Sequence, residues 1–252
     1  MNAYPVPKDY TWDLKIASFD VGQDRQLKLS AQLRLQQEAG ELQLEKGGLG
    51  FEELINNGLA FVITRTNSVI YHTPRFNSHI KLITWHRDSK GAQFYRCYRF
   101  LDENGEILID SVSAFALIDP QTHKILRPAL FSRYAVTQQP DRLNSCPDPE
   151  KQVLPDGLLP IGGYEVVWSD IDYNGHVNNA IYADIICNNI PDNMRQRRIA
   201  GFTISYLHEA FEGEIISLKS GVFRRGNQDE VWVSGETERG SCFEGMVKYN
   251  AE

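Results

Sequence analysis

The chain has 252 residues, 42% of them hydrophobic and 23% charged, enough for one large globular unit or two modest ones. Its formal net charge is -7, acids and bases are interspersed, and the densest basic run is the short RQRR at 195–198. That excludes the broad cationic surface of a nucleic-acid binder, and no apolar run approaches the length of a membrane span.

The opening stretch, MNAYPVPKDYTWDLKIASFD, carries prolines and charges where a secretory signal needs apolar residues, so a cytoplasmic setting is expected. Residues 29–45, LSAQLRLQQEAGELQLE, place Leu29, Leu33, Leu35, Ala39 and Leu42 at mostly helical spacing, and Gly47 and Gly48 stop the helix. Strand-like segments follow at 59–73, 79–87, 92–102 and 107–119, rich in β-branched and aromatic residues. Asn104 and Gly105 supply a turn between the last two.

From Thr137 to Pro160 the chain carries prolines at 140, 147, 149, 155 and 160 and few periodic apolar residues, the composition of a linker or extended connection. Beyond it YEVVWS (164–169) reads as a strand. Residues 178–191 read as a second helix, with Ile181, Tyr182, Ile185 and Ile186 as its apolar stripe and Pro191 as its close. Strands are expected again at 199–210, 214–225, 229–238 and 242–250.

One helix followed by a strand meander thus occurs twice. A shift of 135 residues lays VIYHTPRFNSHI (69–80) on ISYLHEAFEGEI (204–215), matching Tyr71 with Tyr206, Phe76 with Phe211 and Ile80 with Ile215. An antiparallel sheet with one apolar face must be covered, and each unit has a single long helix to cover it. The expected class is α+β, two tandem hotdog domains, each a long helix wrapped by an antiparallel sheet. Their spans are 1–136 and 161–252, joined by the proline-rich 137–160.

Candidate chemistry concentrates at DIDYNGHVNN, 170–179. Asp172, Asn174 and His176 alternate, which on an extended backbone points all three to one side, and Asn178 or Asn179 stands where a helix N-cap belongs. A helix start offers unpaired N–H groups to a carbonyl oxygen that gains charge, here from Val177, Asn178 and Asn179. No G-x-S-x-G elbow or Cys–His motif supplies a nucleophile. A thioester needs none, because its thiolate leaves readily and a carboxylate can activate water. Glu209, at the end of a strand-like segment, is the candidate carboxylate. Cys97, Cys146, Cys187 and Cys242 are expected to be free thiols. His72, His79 and His86 recur at an odd spacing that reverses strand faces, so no shared metal site is expected.

The string WSDIDYNGHVNNAIYADII resembles the signature of acyl-acyl-carrier-protein (acyl-ACP) thioesterases, plant plastid and bacterial enzymes of two tandem hotdog domains, and the likeness extends over nearly the whole chain. The resemblance implies hydrolysis of fatty acyl-ACP to free acid and ACP in fatty acid biosynthesis, without metal or organic cofactor. It implies a catalytic set of Asp172, Asn174, His176 and Glu209. Asn174 and His176 position water or polarise the thioester, Asp172 orients its neighbours, and Glu209 is the base. Plant members often carry a cysteine directly after that glutamate; here Ala210 removes a covalent cysteine route at that place. In the first half DRQLKLS (24–30) keeps Asp24 but has Gln26 and Lys28 where Asn174 and His176 stand, so that half is expected to be non-catalytic and to hold the acyl chain between Leu29 and Phe61. Arg195, Arg197, Arg198, Arg224 and Arg225 are either solvated surface or a docking patch for the acidic carrier protein. Two rivals stand beside this reading: an acyl-CoA thioesterase of the same fold, and a non-catalytic acyl-thioester-binding module. Whether Glu209 acts as base or nucleophile, and whether open sheet edges form a homodimer, the sequence leaves open.

Overall fold

Tyr10, Trp12 and Leu14 alternate with polar residues and build β1 (Asp9–Lys15), a strand additional to those expected from the sequence. The computed structural model describes residues 6–134 and 136–250, so residues 1–5, 135 and 251–252 of the expected domain spans lie outside the described residues. α1 (Leu29–Lys46) follows, then a short α2 (Phe51–Asn56), and the meander β2 (Ala60–Ile70), β3 (His79–Lys90), β4 (Gln93–Leu101) and β5 (Ile107–Ile118). The second half repeats the plan with β6 (Leu159–Glu165), α3 (Asn179–Asn188), β7 (Ile199–Tyr206), β8 (Ile215–Arg225), β9 (Gln228–Thr237) and β10 (Gly240–Asn250). The expected strand at 164–169 is corrected: β6 ends at Glu165, and Trp168–Asp170 form a 3-10 turn.

Among the described residues, ten strands join one antiparallel sheet in the order β1-β3-β4-β5-β2-β7-β10-β9-β8-β6. Each half contributes the same permutation, and the halves meet where β2 pairs with β7, Arg65 opposite Ser205 through Val69 opposite Gly201. α1 and α3 pack against each other, with Arg34 reaching Asp184 at 3.5 Å. α3 lies tight on β10: a Cβ added to Gly245 would run into the Ile186 Cδ1. The fold is α+β, two tandem hotdog units sharing a continuous sheet.

The internal repeat is present, but in a different register. Val166 donates to Glu214 O as Ile16 does to Ser78 O, and Val177 donates to Ala210 O as Leu27 does to Pro74 O. The strand pairs therefore correspond at an offset of 136, as from Ser78 to Glu214, one more than the residue matches gave. A slip of one residue turns every side chain to the other face, so Tyr71 does not correspond to Tyr206; Ile70 does. Asn77 and Gly213, equivalent at that offset, share a left-handed backbone with φ of 70° and 81°.

The connection at 137–158 is no free linker. It lies on the first half: Trp85 donates its indole N–H to Arg142 O at 2.9 Å, and Asn144 donates to Tyr98 O and Ser111 O. The buried Asp110 carboxylate accepts from Ser145 N at 2.8 Å and Ser145 Oγ at 2.6 Å while taking the Arg99 fork at 2.7 and 2.8 Å.

Candidate active site

The motif is a tight hairpin turn, which corrects the expectation of an extended strand. Ile171 bridges Val177, Asp172 N–H donates to His176 O at 3.0 Å, and Gly175 N–H donates to Asp172 O at 2.9 Å. Gly175 has φ of 84°, the left-handed position such a turn requires and the reason glycine stands there. The Asp172 Oδ1 accepts from Asn174 N–H at 2.8 Å, so this carboxylate shapes the turn that carries Asn174. Asn178 caps α3, its side-chain oxygen accepting from Ala180 N–H at 2.9 Å.

The cap geometry changes the expected oxyanion donors. Val177 N–H is taken by Ala210 O at 2.9 Å and Asn178 N–H by Asp170 O at 2.8 Å, because the turn and the β7–β8 loop are stitched together there. Neither can serve a substrate oxygen. Of the three expected donors, Asn179 N–H is the one without an acceptor among the described residues.

That stitching brings Glu209 to the motif. His176 Nε2 stands 3.8 Å from Glu209 Oε1, with the two side chains 25% and 38% exposed. Separation in sequence hid the third partner, Arg239. It donates to Glu209 O at 2.7 Å and grips Glu214 through two bonds of 2.8 and 2.9 Å, stacked over Phe211 at 4.4 Å. Glu214 also accepts from Phe211 N–H at 2.8 Å. The hydrogen-bonded Arg239 guanidinium holds the Glu214 carboxyl below its ordinary value, so the clamp stays charged at neutral pH.

Asp172, Asn174, His176 and Glu209 all line one chamber of about 700 Å³ that runs into the first half, past Leu33 and Gly40 of α1 to Phe61, Phe94 and Phe115. Its volume falls within the range of small-ligand sites. The offset of 150 residues, as from Gly22 N–H→Gln26 O to Asp172 N–H→His176 O, identifies the first-half counterparts. Gly22, Asp24 and Gln26 match Asp172, Asn174 and His176, which corrects the pairing of Asn174 with Gln26 and His176 with Lys28 by two residues. Thr73 stands where Glu209 does and Gln26 where His176 does, so the first half does not repeat the imidazole–carboxylate pair.

The arginines do not form one free patch. Arg197 and Arg224 both bind Asp229 at 2.8 Å, Arg225 meets Glu230 at 3.0 Å and Arg195 meets Asp192 at 2.8 Å, while Arg198 lies by His72. All four cysteines are free thiols. Among the described residues no group of three or more His, Cys, Asp or Glu is arranged to hold a metal.

The fold and the turn–helix–strand-end cluster define a tandem hotdog protein with a polar site at the helix start. Two family models match the chain, described as the acyl-ACP thioesterase N-terminal domain over residues 7–129 and the acyl-ACP thioesterase C-terminal domain over residues 160–242. The chain belongs to the acyl-ACP thioesterase family. It is similar to a chloroplastic dodecanoyl-[acyl-carrier-protein] hydrolase of Cinnamomum camphora, 27% identical over 216 residues, 77% of this chain and 54% of that protein. A chloroplastic palmitoyl-acyl carrier protein thioesterase of Arabidopsis thaliana is 24% identical over 229 residues, 83% of this chain and 54% of that protein. The chain thus spans about half the length of the curated relatives it matches. Among solved structures, the 12:0-ACP thioesterase of Umbellularia californica superposes with a TM-score of 0.81 at 21% identity, covering 97% of this chain and 94% of that one. An acyl-ACP thioesterase of Bacteroides thetaiotaomicron gives 0.79 at 19%, covering 96% and 98%.

Proposed function

We propose that the chain hydrolyses fatty acyl-ACP to free fatty acid and ACP, with Asn174, His176 and Glu209 as the reacting site. The observation that carries this reading is the His176–Glu209 pair, 3.8 Å apart, at one end of a chamber whose other lining comes from the first half. Glu209 takes a proton from water as the water oxygen attacks the thioester carbon. The carbonyl oxygen gains the charge and is met by Asn179 N–H and the Asn174 amide. The carbon–sulfur bond then breaks, the electron pair leaves on sulfur, and the proton held by Glu209 passes to the thiolate, with His176 orienting the water and the base. Asp172 acts through the turn that it holds. The alternative in which Glu209 attacks directly forms a mixed anhydride and releases the thiolate, and water that opens the anhydride at the glutamyl carbon leaves solvent oxygen in the Glu209 carboxylate. The water route leaves that carboxylate unlabelled in heavy-oxygen water.

The first half, residues 1–136, is the acyl-holding half and is non-catalytic in this reading, residues 137–160 are the connection, and 161–252 carry the chemistry. The carrier protein docks from outside, with the exposed Arg195, Arg198, Arg224 and Arg225 as the cationic contacts; Arg197, only 16% exposed, turns inward to Asp229 and Asn250 O. Among the described residues no helix is long and apolar enough to cross a membrane, and the cytoplasm is the setting we assign. A homodimer would form through the open edges β1 or β6, and sedimentation reads it.

Thiol release from ACP thioesters of increasing chain length, with matching coenzyme A esters and Glu209→Ala as control, tests the assignment. Faster release from ACP, abolished in the variant, is expected. Faster release from coenzyme A esters would move the substrate to that class, and no release from either would refute hydrolysis. Neutralising Arg224 and Arg225 should slow turnover of ACP substrates more than of coenzyme A substrates; equal losses would refute docking there.

A further inference from the structure

The interiors of the two halves differ in polarity. Ala183, Ile185 and Ile186 of α3 share an apolar core with Phe202, Val233 and Val247. α1 instead buries Gln32, Gln36 and Gln43 against its sheet. Gln32 donates to Ser68 Oγ at 2.9 Å, and the Gln43 Oε1 accepts from Arg96. Arg96 is only 4% exposed and also meets Thr84 Oγ1, at 3.1 Å, and His86 Nε2.

No carboxylate among the described residues lies within ion-pairing distance of Arg96. Its guanidinium carries more N–H donors than these three acceptors occupy, and it stays charged. Because His86 Nε2 faces that cation, the ring accepts there and keeps its proton on Nδ1, another donor. Burial, then the Arg96 charge, push His86 well below its ordinary value, which keeps it neutral. Gln36, one turn ahead of Gly40 on α1, is 2% exposed, and both of its amide atoms lack a partner among the described residues. Arg96, His86 and Gln36 line the chamber together with Tyr98 and Ser113.

A buried cation without counter-charge and a buried amide without partners are each costly. A plain hydrocarbon chain laid against them leaves both costs standing. An oxygen on the chain removes part of each.

We propose that Arg96, Gln36 and His86 form a subsite for an oxygen on the acyl chain, so that hydroxy-, oxo- or carboxy-bearing acyl thioesters are preferred over plain chains of equal length. The substrate half of this statement rests on the hydrolysis proposed above; the wall rests on the buried polar groups alone.

The test compares kcat/KM for a plain medium-chain acyl-ACP with its 3-hydroxy, 3-oxo, ω-hydroxy and ω-carboxy counterparts, in the natural chain, Arg96→Met and Gln36→Leu. At least one oxygenated substrate should exceed the plain one by about tenfold, the worth of one hydrogen bond to a charged donor. That preference should collapse in Arg96→Met and shrink in Gln36→Leu, because the loss falls more heavily on the oxygenated substrate than on the plain one. A plain chain preferred throughout, or a preference that neither substitution changes, overturns the proposal. Calorimetry on Glu209→Gln with the corresponding free acids reads the wall without hydrolysis. Tighter binding of an oxygenated acid, lost when Gln36→Leu is added, supports the subsite even if no thioester is cleaved; equal affinities overturn it. If Arg96→Met does not fold, Gln36→Leu and the calorimetry decide.

Discussion

Replacing Glu209 by Gln and His176 by Ala, singly and together, tests whether the 3.8 Å pair acts as one catalytic unit. The Glu209 side chain is 38% exposed and Arg239 holds its backbone oxygen rather than its carboxylate, so Glu209→Gln keeps the bond that anchors the loop. Stability should stay within about 0.5 kcal/mol of the natural chain, as for surface substitutions away from special features. Loss of a positioned base should lower kcat by roughly 10²- to 10⁴-fold, about 2.7 to 5.4 kcal/mol of barrier. Groups that work as a unit are strongly non-additive, so the double variant should be about as slow as the slower single one. The assay is steady-state thiol release on acyl-ACP, with urea unfolding alongside. Multiplicative losses in the double variant, or a stability drop large enough to explain the rate, would refute the reasoning.

Three further outcomes follow from the geometry. Asp110→Asn breaks a fully buried, four-bonded carboxylate and should cost about 3 kcal/mol, read by denaturant unfolding at neutral pH. Burial alone would raise the Asp110 carboxyl, but Arg99 and Ser145 outweigh it and hold the group below its ordinary value. Its contribution is therefore whole above the unfolded value, about 3.9, and is lost as pH falls through the lower folded value, so the variant's deficit should shrink only in strong acid. Arg239→Met frees the loop carrying Glu209 and should lower kcat by roughly 10- to 100-fold while KM barely moves, since small displacements of a reacting group are costly. Asn178→Ala removes the α3 cap and should cost about 1 kcal/mol, seen as a lower urea midpoint with unchanged slope.

Local chemistry was the legible part. The leucine spacing and the Gly47-Gly48 stop marked α1 to within a residue of its end, and the Asn178 cap marked the start of α3, because both depend on neighbours in sequence. β1 was legible too, in the alternation of Tyr10, Trp12 and Leu14. The repeat was visible but its register was not. Chance identities such as Tyr71 with Tyr206 outvoted the better signal, a shared left-handed turn residue at Asn77 and Gly213. The extended reading of Asp172, Asn174 and His176 fails at Gly175, whose left-handed backbone turns the chain between them. Spent N–H groups at Val177 and Asn178 could not be foreseen, since their acceptors come from chain folding back. Arg239 was beyond reach for the same reason, lying thirty residues from the glutamate loop that it grips.

The account stands most directly on one single-turnover measurement: enzyme in excess over acyl-ACP in heavy-oxygen water, with products identified by mass. It predicts free fatty acid carrying one solvent oxygen and an equal amount of ACP thiol, with the enzyme's own mass unchanged. Acyl-ACP that binds and is recovered intact would contradict it, and would make the cluster at Asp172 to Glu209 a structural cap on a binding module.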